Sequence, residues 1–594
     1  MSPVAAGSPW RGRHALAALV VMAVMVVWRS VLVGRSYFNQ DDFYLSARGA
    51  RSELTWGYLF EPFAGHIIPA QQLNFWLVGT HAPFNWGVVA AEVVVLQLLA
   101  TIVMWHLLSR LLPGRWVRVP LLAVFALSPL TLMPTLWWSA ALALWPHVLC
   151  SLLAMLFLVR ARQDAGRTWV NLAAVVGWCA LGLAWHSRAV LIVPVLFGLA
   201  VALADEASGW RRLWAATRRF WYLWLVLVAG LVAYFVVRES VTTVSGGTDS
   251  VREALAIAWQ YIGRNVVPGL LGGPWAADLR GGAVGPHLWV TIVSLVLAAA
   301  VAGLLLWRGG PARRWALALL LAYVVADLTL LVTGRGSFGR IIALDPRYAA
   351  DVLHVAVPAV AIALRGAAPG FGFAWADTRW RRRRTLVLGL GTAAYVVGAC
   401  FGTAVLVPHF QNTEDRSFVA NLRADLAADP NQVVRDELIP PELVLPLVGE
   451  DATLSSVFAS LPESPAFDEP SSRLRVVGDD GRLRRLDLAG SIPSKPGRAE
   501  GCGYAVGRAT KRVPFLVGIR GRLVVRLSYF TNGESTVEVS AGDWSTTFLA
   551  RPGPNEVWIP LPDQGEEVEE LRLRATGPWT VCVPSLEAGL PETP

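Results

Sequence analysis

Long apolar runs separated by short arginine-rich connections constrain this chain more than any motif in it. Runs of roughly 18 to 22 residues match the thickness of a bilayer core when wound as helix. They fall near 14–33, 86–108, 117–134, 139–160, 168–185, 189–204, 220–237, 288–307, 315–333, 349–365 and 386–407. Hydrophobic residues make up 54% of 594 positions and charged residues only 16%, too apolar for a soluble protein of this size. About eleven spans are therefore expected. The first is long, and Val31-Leu32-Val33-Gly34-Arg35-Ser36 lacks the small-x-small pattern of a cleavage site, so it reads as a signal anchor.

The formal charge of +9 invites a nucleic-acid reading, but the distribution of arginine argues against one. Arginines collect in every second connection: Arg11 and Arg13, Arg110 to Arg118, Arg160 to Arg167, Arg211 to Arg219, Arg308 to Arg314, and Arg379 to Arg384. The positive-inside rule makes these faces cytoplasmic. The N-terminus is then cytoplasmic, and an odd number of spans leaves the C-terminal segment outside the plasma membrane. Topology accounts for the basic excess without nucleic acid.

The opposite connections are unequal. Those at 34–85 and 238–287 are long, a shorter one at 334–348 precedes the tenth span, and the turns at Trp137-Trp138 and His186-Ser187-Arg188 are tight. Long external loops against short internal ones place the working face outside. In the first loop, Ser52 to Phe63 and Ile68 to Val78 have apolar residues at helical spacing and read as helices on the membrane surface. In the second, Val251 to Val266 is a further amphipathic candidate, and Pro268 to Pro286 is too rich in Gly and Pro for regular helix. Trp56, Trp76, Trp86, Trp137 and Trp138 are placed as an interfacial aromatic belt would be.

After residue 407 the composition turns soluble. Residues 408–500 mix a helix, Ser417 to Ala428, with Pro-rich connections and short strands; 501–594 hold about seven short strands separated by turns such as Asn532-Gly533, indicating a jelly-roll-like β-sandwich. The expected fold is a polytopic α-helical membrane domain, residues 1–407, followed by an extracytoplasmic mixed and β-sandwich region. Cys502 and Cys582 flank the last domain and form a candidate disulfide, which an oxidising exterior permits. Cys150, Cys179 and Cys400 lie in spans, where a thiol behaves as a small apolar group.

Asp41-Asp42 carries the strongest chemical signal. The pair lies in Asn39-Gln40-Asp41-Asp42-Phe43-Tyr44, just past the first span. Transfer of a sugar from a lipid phosphate to a hydroxyl needs a carboxylate to take the hydroxyl proton and cations to stabilise the departing phosphate. One aspartate would serve as base and its neighbour would orient the acceptor or bind a metal. The pair would equally cap a helical stretch from Phe43 to Arg51. His66, in the same loop, would orient the acceptor, contact phosphate or share a metal. Arg347 and Tyr348, with Arg340, precede the tenth span at headgroup level and suit a phosphate, although Asp345 or Asp351 would also pair with Arg347. Arg188 with His186, and Arg264, are further candidates. Glu92 and Asp327 lie inside spans, where ionisable groups are costly and mark function or buried partners. The residues do not fix a cofactor; a divalent cation, Mg²⁺ or Mn²⁺, on Asp41, Asp42 or His66 is the candidate. Neither a zinc-spaced Cys/His cluster nor a phosphate-cradling Gly-rich loop is present.

These residues resemble the GT-C-type membrane glycosyltransferases that use polyprenyl-phosphate sugars. In that group an acidic pair stands in the first external loop, as Asp41-Asp42 does. Gly65-His66-Ile67-Ile68-Pro69 is similar to a His-x-x-Pro element of several branches, and Arg347-Tyr348 to an Arg-aromatic element that contacts carrier phosphate. A C-terminal external β-sandwich resembles that of actinobacterial arabinosyltransferases, whose corresponding domain binds carbohydrate. The resemblance implies a lipid-linked sugar donor, the membrane lipid around it, and an envelope glycan, lipid or protein acceptor. The competing reading is a non-catalytic envelope-assembly or glycan-binding protein on the same scaffold. A transporter is disfavoured because internal repeats are not evident.

Overall fold

The computed structural model describes residues 10, 12–205, 209–241, 246–248, 250–307, 310–365, 378–444, 449 and 451–593, with the backbone alone at 165 and 378–385. Arg11, Arg308 and the side chains of the Arg379 to Arg384 cluster lie outside that description. The chain divides into two compact units, Met1–Asn412 and Thr413–Pro594. The boundary falls five residues beyond the expected one because the last apolar helix continues to Phe410.

The first unit is helical. Its elements are α1 (Arg13–Gly34), α2 (Asp41–Arg51), α3 (Trp56–Phe60), α4 (Pro69–His81), α5 (Trp86–Leu111), α6 (Arg118–Leu127), α7 (Leu132–Leu136), α8 (Trp138–Gln163) and α9 (Thr168–Trp185). After these come α10 (Ile192–Ala202), α11 (Gly209–Arg219), α12 (Trp221–Val241), α13 (Val251–Ala258), a π-helical stretch (Trp259–Val266) and α14 (Val267–Leu270). A hairpin of β1 (Ala277–Arg280) and β2 (Ala283–Pro286) leads to α15 (Leu288–Trp307), α16 (Pro311–Arg335), α17 (Val352–Arg365) and α18 (Thr378–Phe410).

Among the described residues nine helical segments are long and apolar enough to cross a bilayer, and the protein is a multi-pass membrane protein. Each expected span is an apolar helical segment, but the sixth and tenth are shorter than the bilayer requires: Ser187–Ala202 and Val352–Arg365. Both are enclosed by neighbouring helices, which relieves them of the need to match lipid thickness. The sixth also opens with 3₁₀ winding at Ser187–Leu191, which rises about 2.0 Å per residue and stretches the segment. The third is broken after Leu127, where Ser128-Pro129 forces extended backbone before α7.

Of the first-loop helices, α4 lies where periodicity places one, α3 covers only part of the expected stretch 52–63, and α2 takes the stretch from Phe43 to Arg51 that follows the acidic pair. α2 and α4 cross at glycines: a Cβ on Gly49 would stand 2.6 Å from the Phe75 carbonyl oxygen, and one on Gly79 would strike the Ser46 carbonyl. Small residues at the crossing let the two backbones touch. The aromatic belt is corrected in part. Trp56 is exposed, whereas Trp86, Trp137 and Trp138 are buried. The Trp86 and Trp138 rings pack edge-on to Phe38, the Trp86 indole N–H donates to Val33 O, and that of Trp138 to Glu92.

The second unit opens with α19 (Thr413–Ala428) and a small four-stranded sheet, then forms a sandwich. Its strands are β7 (Asp487–Pro493), β8 (Tyr504–Val506), β9 (Lys511–Ile519), β10 (Leu523–Thr531), β11 (Ser535–Ala541), β12 (Trp544–Ala550), β13 (Gly553–Leu561), β14 (Val568–Ala575) and β15 (Val581–Glu592), the four before them making the small sheet. One sheet runs β13-β10-β15-β7, with β8 also on β15; the other runs β12-β11-β14-β9. This order, with early strands beside late ones in both sheets, is that of a jelly roll. Alternate residues such as Val525 and Leu527, and Leu571 and Leu573, meet in one buried core. β7 and β8 were not expected, because β7 is too exposed and β8 too short for a periodic signal. Cys502 and Cys582 form a disulfide.

Candidate active site

Successive crossings alternate in direction, so the C-terminal ends of α9, α12 and α16 share a face of the bundle with the N-terminal end of α8. A cavity of about 680 Å³ opens among these ends, roofed by the first loop. Asp41, His66, Arg188, Arg347 and Tyr348 all line it. The loop, two helix termini and the turn before α17 are far apart in sequence and meet only in the folded bundle.

The two aspartates part company. Asp42 is completely buried, and its carboxylate accepts from the backbone N–H groups of Asn39 (3.0 Å), Trp138 (3.2 Å) and Ser139 (2.7 Å). It therefore caps α8, not its own helix. Burial pushes its carboxyl up to about 7, against the pull of the Ser139 and Asn39 N–H groups. Asp41 starts the same helix, where adjacent side chains diverge by about 100°, and it lines the cavity. Burial raises its carboxyl above the ordinary range, while Arg347 and then Arg335 pull it down. The acidic pair is thus one cavity carboxylate and one helix cap.

Arg347 is half-buried. Its Nε pairs with Asp345 at 2.7 Å, and the guanidinium lies 4.6 Å over the Trp137 ring and 5.2 Å over that of Tyr348. Asp345 also accepts from the Arg347 backbone N–H, so the turn is locked. Arg188 reaches this turn from α9's end: it donates to the carbonyls of Arg347 (3.3 Å) and Tyr348 (2.9 Å). It pairs with Asp351 at 3.2 Å and Asp327 at 3.4 Å. Tyr323 donates to Asp351, and Tyr261 to Asp327 and to Tyr348 O. The Arg188 charge is consequently shared between two buried carboxylates.

Other expected residues lie elsewhere. Arg340 is exposed and outside the cavity, its backbone N–H bonded to Glu253. Arg264 binds Gln260 and Pro286 O, also outside it. Glu92 is held by Asn74 and Trp138 away from the cavity. Of the three residues expected to hold a metal, Asp42 accepts three backbone N–H groups, His66 Nδ1 is 2.7 Å from Ser187 Oγ, and Asp41 lines the cavity. Among the described residues no group of three or more His, Cys, Asp or Glu side chains converges to hold an ion.

Sequence reasoning missed Arg238 and Arg335, which end α12 and α16, and His147 on α8; all three line the cavity. A signal was there. The two arginines sit on the face that the positive-inside pattern leaves poor in arginine, and His147 is an ionisable group inside a span.

No family model matches the chain, and none of the curated proteins does. Among solved structures it is similar to the single-particle cryo-EM structure of the arabinofuranosyltransferase AftD from mycobacteria, with 12% identity over 96% of this chain and 59% of that one, at a TM-score of 0.40. A mutant of the same protein matches in two classes, at TM-scores of 0.38 and 0.33 and 12% identity, over 61% of its chain. The present chain spans about three fifths of the length of these structures. At that identity no residue role carries across.

Proposed function

We propose that this protein is a membrane glycosyltransferase that moves a sugar from a polyprenyl-phosphate donor to a cell-envelope glycan, lipid or protein on the extracytoplasmic face. One observation carries the reading: Asp41 shares a cavity at the membrane boundary with Arg347, Arg335 and Arg238, while the other two carboxylates lining it are paired with arginine, Asp351 with Arg188 and Glu239 with Arg238. Asp41 accepts the proton of the acceptor hydroxyl as its oxygen attacks the anomeric carbon. The bond from that carbon to the phosphate oxygen breaks, and the arginines stabilise the charge left on the lipid phosphate. Arg188 holds the Arg347-Tyr348 turn in place for this.

The test is transfer by the purified full-length protein from defined polyprenyl-phosphate sugars. Asp41→Asn lowers kcat by about 10²-fold or more with unchanged thermal stability. Asp42→Asn instead destabilises the fold by about 1–3 kcal/mol, because an amide cannot accept all three N–H groups. Full transfer by Asp41→Asn would remove Asp41 as the base, and no transfer by the native protein from any of these donors would leave the non-catalytic assembly reading in its place.

A further inference from the structure

The proposed transfer assigns a base and a phosphate clamp but no partner for the sugar itself. Along α8, Ser139, Ala143 and His147 are four residues apart and share a face, and all three line the cavity together with Ala140. The small side chains leave room above His147. That histidine is 1% exposed, and neither of its ring nitrogens has a hydrogen-bond partner. Its Nε2 is 3.7 Å from Asp351 Oδ2, beyond hydrogen-bonding distance. Nine residues past Trp138, it sits roughly 14 Å along the helix, deep in a span where a polar ring marks function. A buried, unpartnered imidazole at a cavity wall is a group waiting for a ligand.

Its surroundings define that ligand. The His186 ring lies 5.2 Å from that of His66, and both line the same cavity. His66 is fixed by Ser187, and His186 Nδ1 accepts from the Arg188 backbone N–H. Burial, with nearby arginines, pushes His66 down to about 3; burial, then His66, holds His186 well below its ordinary value. These two rings are therefore neutral. A neutral imidazole presents one donor and one acceptor, as a hydroxyl does, and gives an anion little. Positive charge is supplied instead by Arg238 and Arg335 at the helix ends.

Resting on the function proposed above, we infer that the part of the cavity lined by His147, His186 and His66 is a hydroxyl-binding subsite for the donor's sugar ring, with His147 its specificity-determining residue.

The experiment measures affinity by microscale thermophoresis on the full-length protein in nanodiscs. Its probes are a polyprenyl monophosphate, bare or carrying a pentose or a hexose. The native protein is expected to bind one sugar-bearing probe more tightly than the bare lipid. His147→Phe, of similar bulk but without polar atoms, weakens that probe about tenfold and leaves the bare lipid within about twofold. His147→Gln, which donates and accepts, retains most of the sugar-dependent gain. Arg347→Ala weakens all the probes. Equal weakening of bare and sugar-bearing probes by His147→Phe would overturn the subsite, as would no weakening, or loss in Gln equal to that in Phe. A native protein that binds the bare lipid and gains nothing from either sugar overturns the subsite alone. One that binds none of the probes overturns the proposed function with it.

Discussion

Asp41 and Asp42 differ by one position and by everything that follows from it. Asp42 points into the protein, where three backbone N–H groups satisfy it; Asp41 points into a cavity whose other charges are mainly arginines. The electrostatics of the second residue make a prediction. Burial raises the Asp41 carboxyl and Arg347 opposes that rise. A base works deprotonated, so activity falls as pH drops through its pKa. Removing Arg347 removes a charge that favours the carboxylate, and the pKa goes up. The acid limb of kcat/KM in Arg347→Gln is therefore displaced to higher pH than in the native protein, beyond any loss in phosphate binding. A limb that stays in place would mean that Arg347 does not act on the base.

At the scale of elements, the site depends on two surface helices held at backbone contact. α2 carries Asp41, and its position is set by its crossing with α4 at Gly49 and Gly79. Gly79→Ala would push a methyl group against the Ser46 carbonyl, which cannot yield without moving α2. Overpacking of this kind costs about 1–3 kcal/mol. The expected outcome is a lower unfolding temperature with kcat reduced, although residue 79 touches neither Asp41 nor the cavity. Native activity in the alanine variant would show that the crossing does not govern the site. α4 was legible from apolar spacing, and α2 only as the stretch from Phe43 to Arg51 that an acidic pair would cap. Their crossing was not, because a glycine in sequence does not say which backbone it admits.

At the scale of the molecule, each unit has its own source of stability. The helical unit relies on long apolar segments and on ion pairs sealed within it, such as Arg188 with Asp327 and Asp351. The second unit has a sandwich core and one disulfide, whose cysteines are 80 residues apart. Closing a loop of that length restrains the unfolded chain by up to about 4 kcal/mol. Cys502→Ser is expected to lower the unfolding temperature of the β-rich signal in circular dichroism, leaving the helical signal unchanged. Equal melting of native and variant β signals would mean that the bond adds nothing.

Span positions, the surface helices and the strands of the jelly roll follow from the sequence by itself. They depend on periodicity and length, which are local, and a bilayer or a sheet reads them directly. The sequence also pointed to Asp41, His66, Arg188, Arg347 and Tyr348 as members of a site. What only the tertiary structure decided is how they are used. Asp42 became a cap for a helix 96 positions away, Arg340 stayed outside, and Arg238, Arg335 and His147 came in from spans with no motif to announce them. Those roles depend on which helix ends meet at one face of the bundle, and that contact is a property of the packed chain, not of any segment of it.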